Sequence, residues 1–239
     1  MKLGQNFLVD ERVAARQIEY ANLSKDDVVL EIGAGNGILT RKMAKIAKVI
    51  AIEIDPRFID ALKKIENVEV IHADALKVDF NKLNFNKVVS NLPYNISSPI
   101  TFKLLSSKFE LAILMYQKEF AARLVAKPNT KDYSRLTVMA YMKADFELLE
   151  EVPPQAFRPI PKVSSYIVKV TPVEKRFDVD EKLFERVTRA LFMHRRKKIK
   201  NALMLANLYV ENLPYEDYRV EQLSPEQIAY ITKFISKHV

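Results

Sequence analysis

Hydrophobic positions along this chain follow two alternating rhythms. Short β-branched or apolar runs at 28–32, 49–54, 68–73, 87–92 and 111–116 have the length of strands buried on both faces. Between them, 38–47, 56–65, 99–107 and 118–126 carry helical spacing: the first places Ile38, Leu39, Met43, Ala44, Ile46 and Ala47 on one face. Pro56 suits the first turn of the second helix. Strands alternating with helices predict a parallel sheet covered on both faces. The rhythm then changes. Residues 145–152 and 164–171 are strand-like and joined only by the proline-rich stretch 153–161, which predicts an antiparallel pair at the end of the sheet. Strand signals cease after Pro172, and helices are predicted over 180–193, 195–208 and 225–237. The pattern thus predicts an α/β domain over 1–172 and a small all-helical domain over 173–239.

Composition narrows the chemistry. At 239 residues and 49% hydrophobic, the chain can bury a large core. It has no Cys, and its three histidines, His72, His194 and His238, are far apart, so disulfides, thiolate chemistry and a metal site are not expected. No apolar run reaches the length of a membrane span, and the polar stretch after Met1-Lys2 is not a secretory leader. A monomeric cytoplasmic protein without a membrane partner is expected.

Glycine and charge are both concentrated. Three of the four glycines, Gly33, Gly35 and Gly37, fall within five residues, directly after the first strand; the fourth is Gly4. Such spending of glycine implies positive φ or close approach at that turn. Of the formal net charge of +8, seven cations without an intervening acid lie in 186–200: Arg186, Arg189, Arg195, Arg196, Lys197, Lys198 and Lys200. A cationic run of that kind, in a segment of helical pattern, has phosphates as its natural partner.

Three constellations carry candidate chemistry. The turn Glu31-Ile32-Gly33-Ala34-Gly35-Asn36-Gly37 ends a parallel strand, where open α/β sheets bind ligands. Glu53, twenty residues past Gly33, can accept both hydroxyls of a ribose, and Asp74 in His72-Ala73-Asp74-Ala75 can accept from an adenine amine. The glycine spacing is G-x-G-x-G rather than the dinucleotide G-x-G-x-x-G, and resembles the first motif of S-adenosylmethionine-dependent methyltransferases. Asn91-Leu92-Pro93-Tyr94, at the end of the fourth strand, resembles the signature of methyltransferases that act on nucleic-acid amines. The chemical need is specific. An exocyclic amine is a poor nucleophile because its lone pair is delocalised into the ring. Acceptance of its two N–H groups by the Asn91 side chain and the Leu92 carbonyl favours a pyramidal nitrogen. Pro93 stiffens the loop, and Tyr94 can stack on the base. Phe157, on the proline-rich loop, can supply a second stacking face, with Arg158 and Lys162 beside it for a phosphate.

With the opening Leu3-Gly4-Gln5-Asn6-Phe7-Leu8, the run from Asn91 to Pro99 and the stretch from Phe157 to Ser164, the chain resembles the ribosomal RNA adenine dimethyltransferase family. The resemblance implies a Rossmann-like S-adenosylmethionine-dependent sheet with helices on both faces, followed by the helical domain. It implies cofactor contacts from Asn6, Leu8, Gly33, Gly35, Glu53, Asp74, Ala75 and Asn91, and a target adenine held by Asn91, Leu92, Pro93, Tyr94 and Phe157. RNA contacts are expected from Arg158, Lys162, Arg189, Arg195, Arg196, Lys197, Lys198 and Lys200. The implied partners are small-subunit rRNA and the immature small ribosomal subunit. Two rivals remain at this point: a large-subunit rRNA methyltransferase of the antibiotic-resistance type, and a methyltransferase-derived assembly or transcription factor that only binds.

Overall fold

The computed structural model describes residues 6–238. Leu3, Gly4 and Gln5 of the opening motif lie outside them. In chain order the elements are β1 (Phe7–Leu8), α1 (Glu11–Ala21), β2 (Val28–Ile32), α2 (Ile38–Met43), β3 (Lys48–Glu53), α3 (Pro56–Lys63), β4 (Val68–His72), β5 (Lys87–Asn91), α4 (Ser97–Leu104), β6 (Leu111–Gln117), α5 (Lys118–Leu124), α6 (Arg135–Lys143), β7 (Ala144–Val152), β8 (Phe157–Arg158), β9 (Ser165–Pro172), α7 (Glu181–Met193), α8 (Ile199–Leu205) and α9 (Pro225–Ile235). They form two compact units, Met1–Ala121 with Phe146–Pro172, and Ala122–Asp145 with Val173–Val239.

The first unit is built on a seven-stranded sheet of order β4-β3-β2-β5-β6-β9-β7. Strands β2 to β6 pair in parallel, and β9 runs antiparallel to β6. The expected terminal pair β7 and β9 does end the sheet, with β9 inserted between β6 and β7. Alternation along the strands sorts two faces. Val29, Val49, Val89, Ile113 and Met115 join residues of α1, α2 and α3 in one buried cluster. The alternate residues Leu30, Ile50, Val88 and Leu114 are equally buried, and on that side α4 packs on β6 through a 2.7 Å hydrogen bond between the Thr101 and Tyr116 hydroxyls. Both faces are therefore covered.

Helix α1 was not anticipated by the sequence reading. Its start is set by Asp10, whose carboxylate accepts the Arg12 and Val13 N–H groups, and it buries Val13, Ala14, Gln17, Ile18 and Ala21. That spacing and cap were legible in principle. The two-residue ladder of β1 with β8, joining Phe7 to Arg158 and Leu8 to Phe157, was not.

The second unit is helical. Tyr133, just ahead of α6, and Val138 and Met142 within it pack with Phe184, Val187 and Leu191 of α7, Ile199 and Leu203 of α8, and Ile228, Ile231 and Ile235 of α9. Two corrections follow. Residues 122–145, read as part of the sheet domain, belong to this unit, because the unpredicted α6 gives its apolar face to this core. The helix expected over 195–208 is reduced to α8, because the preceding basic residues are drawn into pairing with 216–221: the Glu221 and Val220 N–H groups donate to the Arg195 and Lys197 carbonyls.

The parallel strands that will frame the cleft are pinned at their starts by Asp27. Its carboxylate accepts from the Ser24 N–H at 2.6 Å, Asn86 Nδ2 at 2.7 Å and Lys87 Nζ at 3.0 Å, while Asn86 Oδ1 takes the first N–H of β2. Desolvation opposes ionisation here, but these hydrogen bonds outweigh it and hold the Asp27 carboxyl down at about 2. A depressed carboxyl stabilises the fold fully above its unfolded value and loses that contribution as pH falls through its folded value. Asp27→Asn is expected to cost about 1–3 kcal/mol in urea unfolding at pH 7. The gap from wild type should narrow below pH 4; a gap independent of pH would contradict the role.

Candidate active site

Chain order leaves β2 outward to β3 and β4, then returns to β5 on the other side of β2. A reversal of this kind opens a crevice at the carboxyl ends of the two diverging strands. The β2–β5 ladder carries the pairs Val29–Lys87 and Leu30–Val88. Further along, the Ser90 hydroxyl bridges both strands, donating to the Ile32 carbonyl at 2.6 Å and accepting its N–H at 3.3 Å. A side chain thus takes over where the ladder ends, at the mouth of the crevice.

The glycine turn occupies that mouth. Gly33, Gly35 and Gly37 all have positive φ, of 76°, 52° and 77°. A Cβ at Gly33 would stand 3.3 Å from the Pro93 ring, and one at Gly35 would stand 3.1 Å from the Phe7 ring. The turn is locked by Glu53, 2% exposed, whose two oxygens accept the Gly35 and Asp55 N–H groups at 2.7 Å each. The cleft is lined by Asn6, Phe7 and Leu8, by Glu31 and the turn from Gly33 to Asn36, by Ile38 and Leu39, by Glu53 and Ile54, and by 91–95. Its ionisable lining side chains, among those described, are Glu31 and Glu53, with no Lys or Arg. A lining without cations offers no counter-charge to a pyrophosphate, which fits a sulfonium cofactor that bears no phosphate.

The loop after β5 supplies the second half. Leu92, 2% exposed, anchors it in the core, and the Pro93 carbonyl accepts the Ile96 N–H, closing a short turn. The half-buried Tyr94 is held by a 2.9 Å hydrogen bond between its hydroxyl and Ser165 Oγ on β9. Burial pushes the Tyr94 hydroxyl pKa up, against the Ser165 bond. Asn91 Oδ1 is buried and has no partner among the described residues. A buried acceptor without a donor is costly. In a cleft it is the signature of a group waiting for a ligand N–H.

The structure brings together Asn6, Leu8, Gly33, Gly35, Glu53, Asn91, Leu92, Pro93 and Tyr94 around one cleft. It does not bring in Asp74, Ala75 or Phe157. Asp74 follows β4, whose His72 pairs with Glu53, but its carboxylate caps its own turn by accepting the Leu76 N–H at 2.9 Å. Ala75 is buried beside it. Phe157 corrects the expected second stacking face: it is 1% exposed and packed in the core of the first unit, because β8 pairs with β1 and turns the ring inward. Its neighbours Arg158 and Lys162 are exposed, although the Arg158 guanidinium bonds to the Gln155 and Phe157 carbonyls.

In the helical unit the basic run is less free than its sequence implies. Arg189 pairs with Glu185, Arg195 with Glu221, Lys198 with Asp217 and Lys200 with Glu216. Arg195 also donates to the Thr130 and Lys131 carbonyls, so it works as a strut. Arg196 and Lys197 are exposed and have no acidic partner among the described residues.

Glu31 lines the cleft, yet the sequence reading assigned it no role. The signal was an acid inside the β-branched run of a central strand. It is 2% exposed and accepts the Thr40 hydroxyl at 2.6 Å. Burial pushes its carboxyl up to about 8, aided by the charge of Glu53 and opposed by the Thr40 hydrogen bond and by Arg41.

Residues 1–237 match the protein family described as ribosomal RNA adenine dimethylase. The chain is 48% identical to the "Probable ribosomal RNA small subunit methyltransferase A" of Methanococcus maripaludis (strain C5), covering 98% of this chain and 97% of that one. Among solved structures, a dimethyladenosine transferase from Plasmodium falciparum superposes with a TM-score of 0.86 at 30% identity, covering 98% of both chains. The 23S rRNA methyltransferase ErmE superposes with a TM-score of 0.73 at 29% identity, covering 96% of this chain and 99% of that one.

A raised carboxyl favours the fold while protonated, so stability from Glu31 is lost as pH climbs from the unfolded value near 4.5 toward about 8. Thermal unfolding of the ligand-free protein should therefore show a Tm that declines across this window, and Glu31→Gln should remove that part of the decline. A pH profile unchanged by the substitution would refute a protonated Glu31.

Proposed function

The chain belongs to the ribosomal RNA adenine dimethylase family, and from that premise we propose that it dimethylates the N6 amines of two adjacent adenines near the 3′ end of small-subunit rRNA. It is an rRNA adenine dimethyltransferase that uses S-adenosylmethionine. The observation that carries the site assignment is the buried Asn91 Oδ1, without a partner among the described residues, at a cleft lined by Glu31 and Glu53.

When bound, S-adenosylmethionine supplies an electrophilic methyl on a sulfonium sulfur. Glu53 and the glycine turn would hold its ribose end, and Glu31 would line the pocket beside it. Asn91 Oδ1 accepts one N6–H of the adenine and the Leu92 carbonyl the other, which directs the nitrogen lone pair toward the methyl. Tyr94, fixed by Ser165, stacks on the base. The proton on nitrogen is acidic after transfer and leaves to water, so no strong general base is needed. Asp74 and Ala75 lie outside the cleft lining but follow β4 next to the end of β3, where the Ala73 N–H donates to the Glu53 carbonyl, and from there would meet the adenine of the cofactor.

The small-subunit reading is favoured over the large-subunit one because the curated relative carries a small-subunit name and the dimethyladenosine transferase superposes better than ErmE. The binding-only reading is disfavoured by the intact acceptor at Asn91. We take the protein to act as a monomer on the immature small subunit in the cytoplasm; among the described residues no helix is long and apolar enough to cross a membrane. RNA contacts are assigned to Arg158, Lys162, Arg189, Arg196, Lys197, Lys198 and Lys200, with Arg195 as their support.

Incubation with methyl-labelled S-adenosylmethionine should label small-subunit rRNA in immature subunits and produce primer-extension stops at two neighbouring adenines. Label confined to large-subunit rRNA would overturn the assignment. Asn91→Ala should lower kcat on the order of 10²-fold, while cofactor affinity by equilibrium dialysis changes far less. A loss confined to cofactor affinity would remove Asn91 from the transfer step.

A further inference from the structure

In the helical unit, residues 215–221 lie along the basic turn 195–200. The Ile199 and Lys200 N–H groups donate to the Tyr218 and Glu216 carbonyls at 2.9 and 3.1 Å, and Lys198 and Arg219 form an isolated antiparallel bridge. Tyr215 and Tyr218 project from this segment and Tyr230 from α9, with exposures of 36%, 49% and 57%. Tyr215 packs edge to face on both others, with ring centroids 5.7 and 6.4 Å apart and planes inclined at 69° and 72°. Its backbone sits at φ +60°, a left-handed conformation that a bulky residue rarely adopts. A turn bond from the Tyr218 N–H to the Tyr215 carbonyl closes this conformation.

Three clustered aromatic residues that leave a third to more than half of their area exposed lie outside the buried core cluster of the unit. Their electrostatic surroundings are specific. Each acid of the segment is already matched: Glu216 by Lys200 and the Tyr209 hydroxyl, Asp217 by Lys198, and Glu221 by Arg195. That leaves Arg196, Lys197 and Arg219, on the two paired segments, as surplus cations, exposed and without an acidic partner among the described residues. Aromatic faces next to unpaired cations are what single-stranded nucleic acid requires: the rings stack the bases and the cations hold the phosphates.

We propose that Tyr215, Tyr218 and Tyr230 form a stacking platform for an unpaired nucleobase of the RNA substrate, with Arg196, Lys197 and Arg219 on the adjoining phosphates. The proposal rests on the rRNA reading above and adds to it a site for unpaired RNA outside the catalytic cleft. A duplex cannot use the platform, since its base faces are already stacked.

The test is fluorescence anisotropy of the full chain with a short labelled adenine- and uracil-containing single strand, and with a blunt RNA duplex. Tyr218→Ala and Tyr230→Ala should each weaken single-strand binding about tenfold. Duplex binding and the salt dependence should stay unchanged, and the Phe variants should restore affinity. Arg196→Gln with Lys197→Gln should instead flatten the salt dependence. Wild-type affinity in the alanine variants, equal loss on the duplex, no rescue by Phe, or no single-strand binding by wild type would each overturn the platform. So would concentration-dependent self-association that Tyr230→Ala abolishes while RNA affinity is untouched. Failure of the rRNA reading is read separately, as absent methyl labelling of small subunits by the wild-type protein.

Discussion

The site depends on one buried side chain, Glu53. Its oxygens take the N–H groups of Gly35 and Asp55 and so tie the end of β3 to the turn that follows β2. A buried carboxyl needs such donors, and one of them comes from Gly35, at positive φ. The same turn must be free of side chains for a second reason. The Phe7 ring of β1 and the Pro93 ring close on it at 3.1 and 3.3 Å from where a Cβ would stand, so any side chain there would have to push a neighbour aside. The cofactor half and the target half of the cleft are therefore set by one backbone conformation, which accounts for a chain with four glycines placing three of them there.

Electrostatics divides the labour between regions of the chain. The cleft lining holds two acids and no Lys or Arg, although the protein carries a net +8. That suits a methyl donor without phosphate better than a pyrophosphate. The basic surplus sits in the helical unit, and ion pairing trims it: four of the seven cations in 186–200 meet acids. What remains is smaller and lies on a segment paired with the one that carries Tyr215 and Tyr218.

Much of this was legible in the residue pattern. The five parallel strands, the glycine turn, Glu53 and Asn91-Leu92-Pro93-Tyr94 were all readable because strand burial and turn conformation are local properties. Helix α1 was readable too, from Asp10 and the spacing of Val13, Ala14, Gln17 and Ile18. Glu31 needed more than its position in a motif: its protonation follows from complete burial beside Glu53, which belongs to another strand.

By itself, then, the sequence determined the alternation of strands and helices, the clustering of glycine and the identity of the groups that can receive an adenine amine. Tertiary structure alone decided the rest. It turned Phe157 into the core by pairing β8 with β1, gave residues 122–145 to the helical unit, and chose which cations stay free. The physical reason is range. Periodicity and turn chemistry are encoded between near neighbours, whereas an ion pair or a two-residue ladder exists only once distant segments have been brought together.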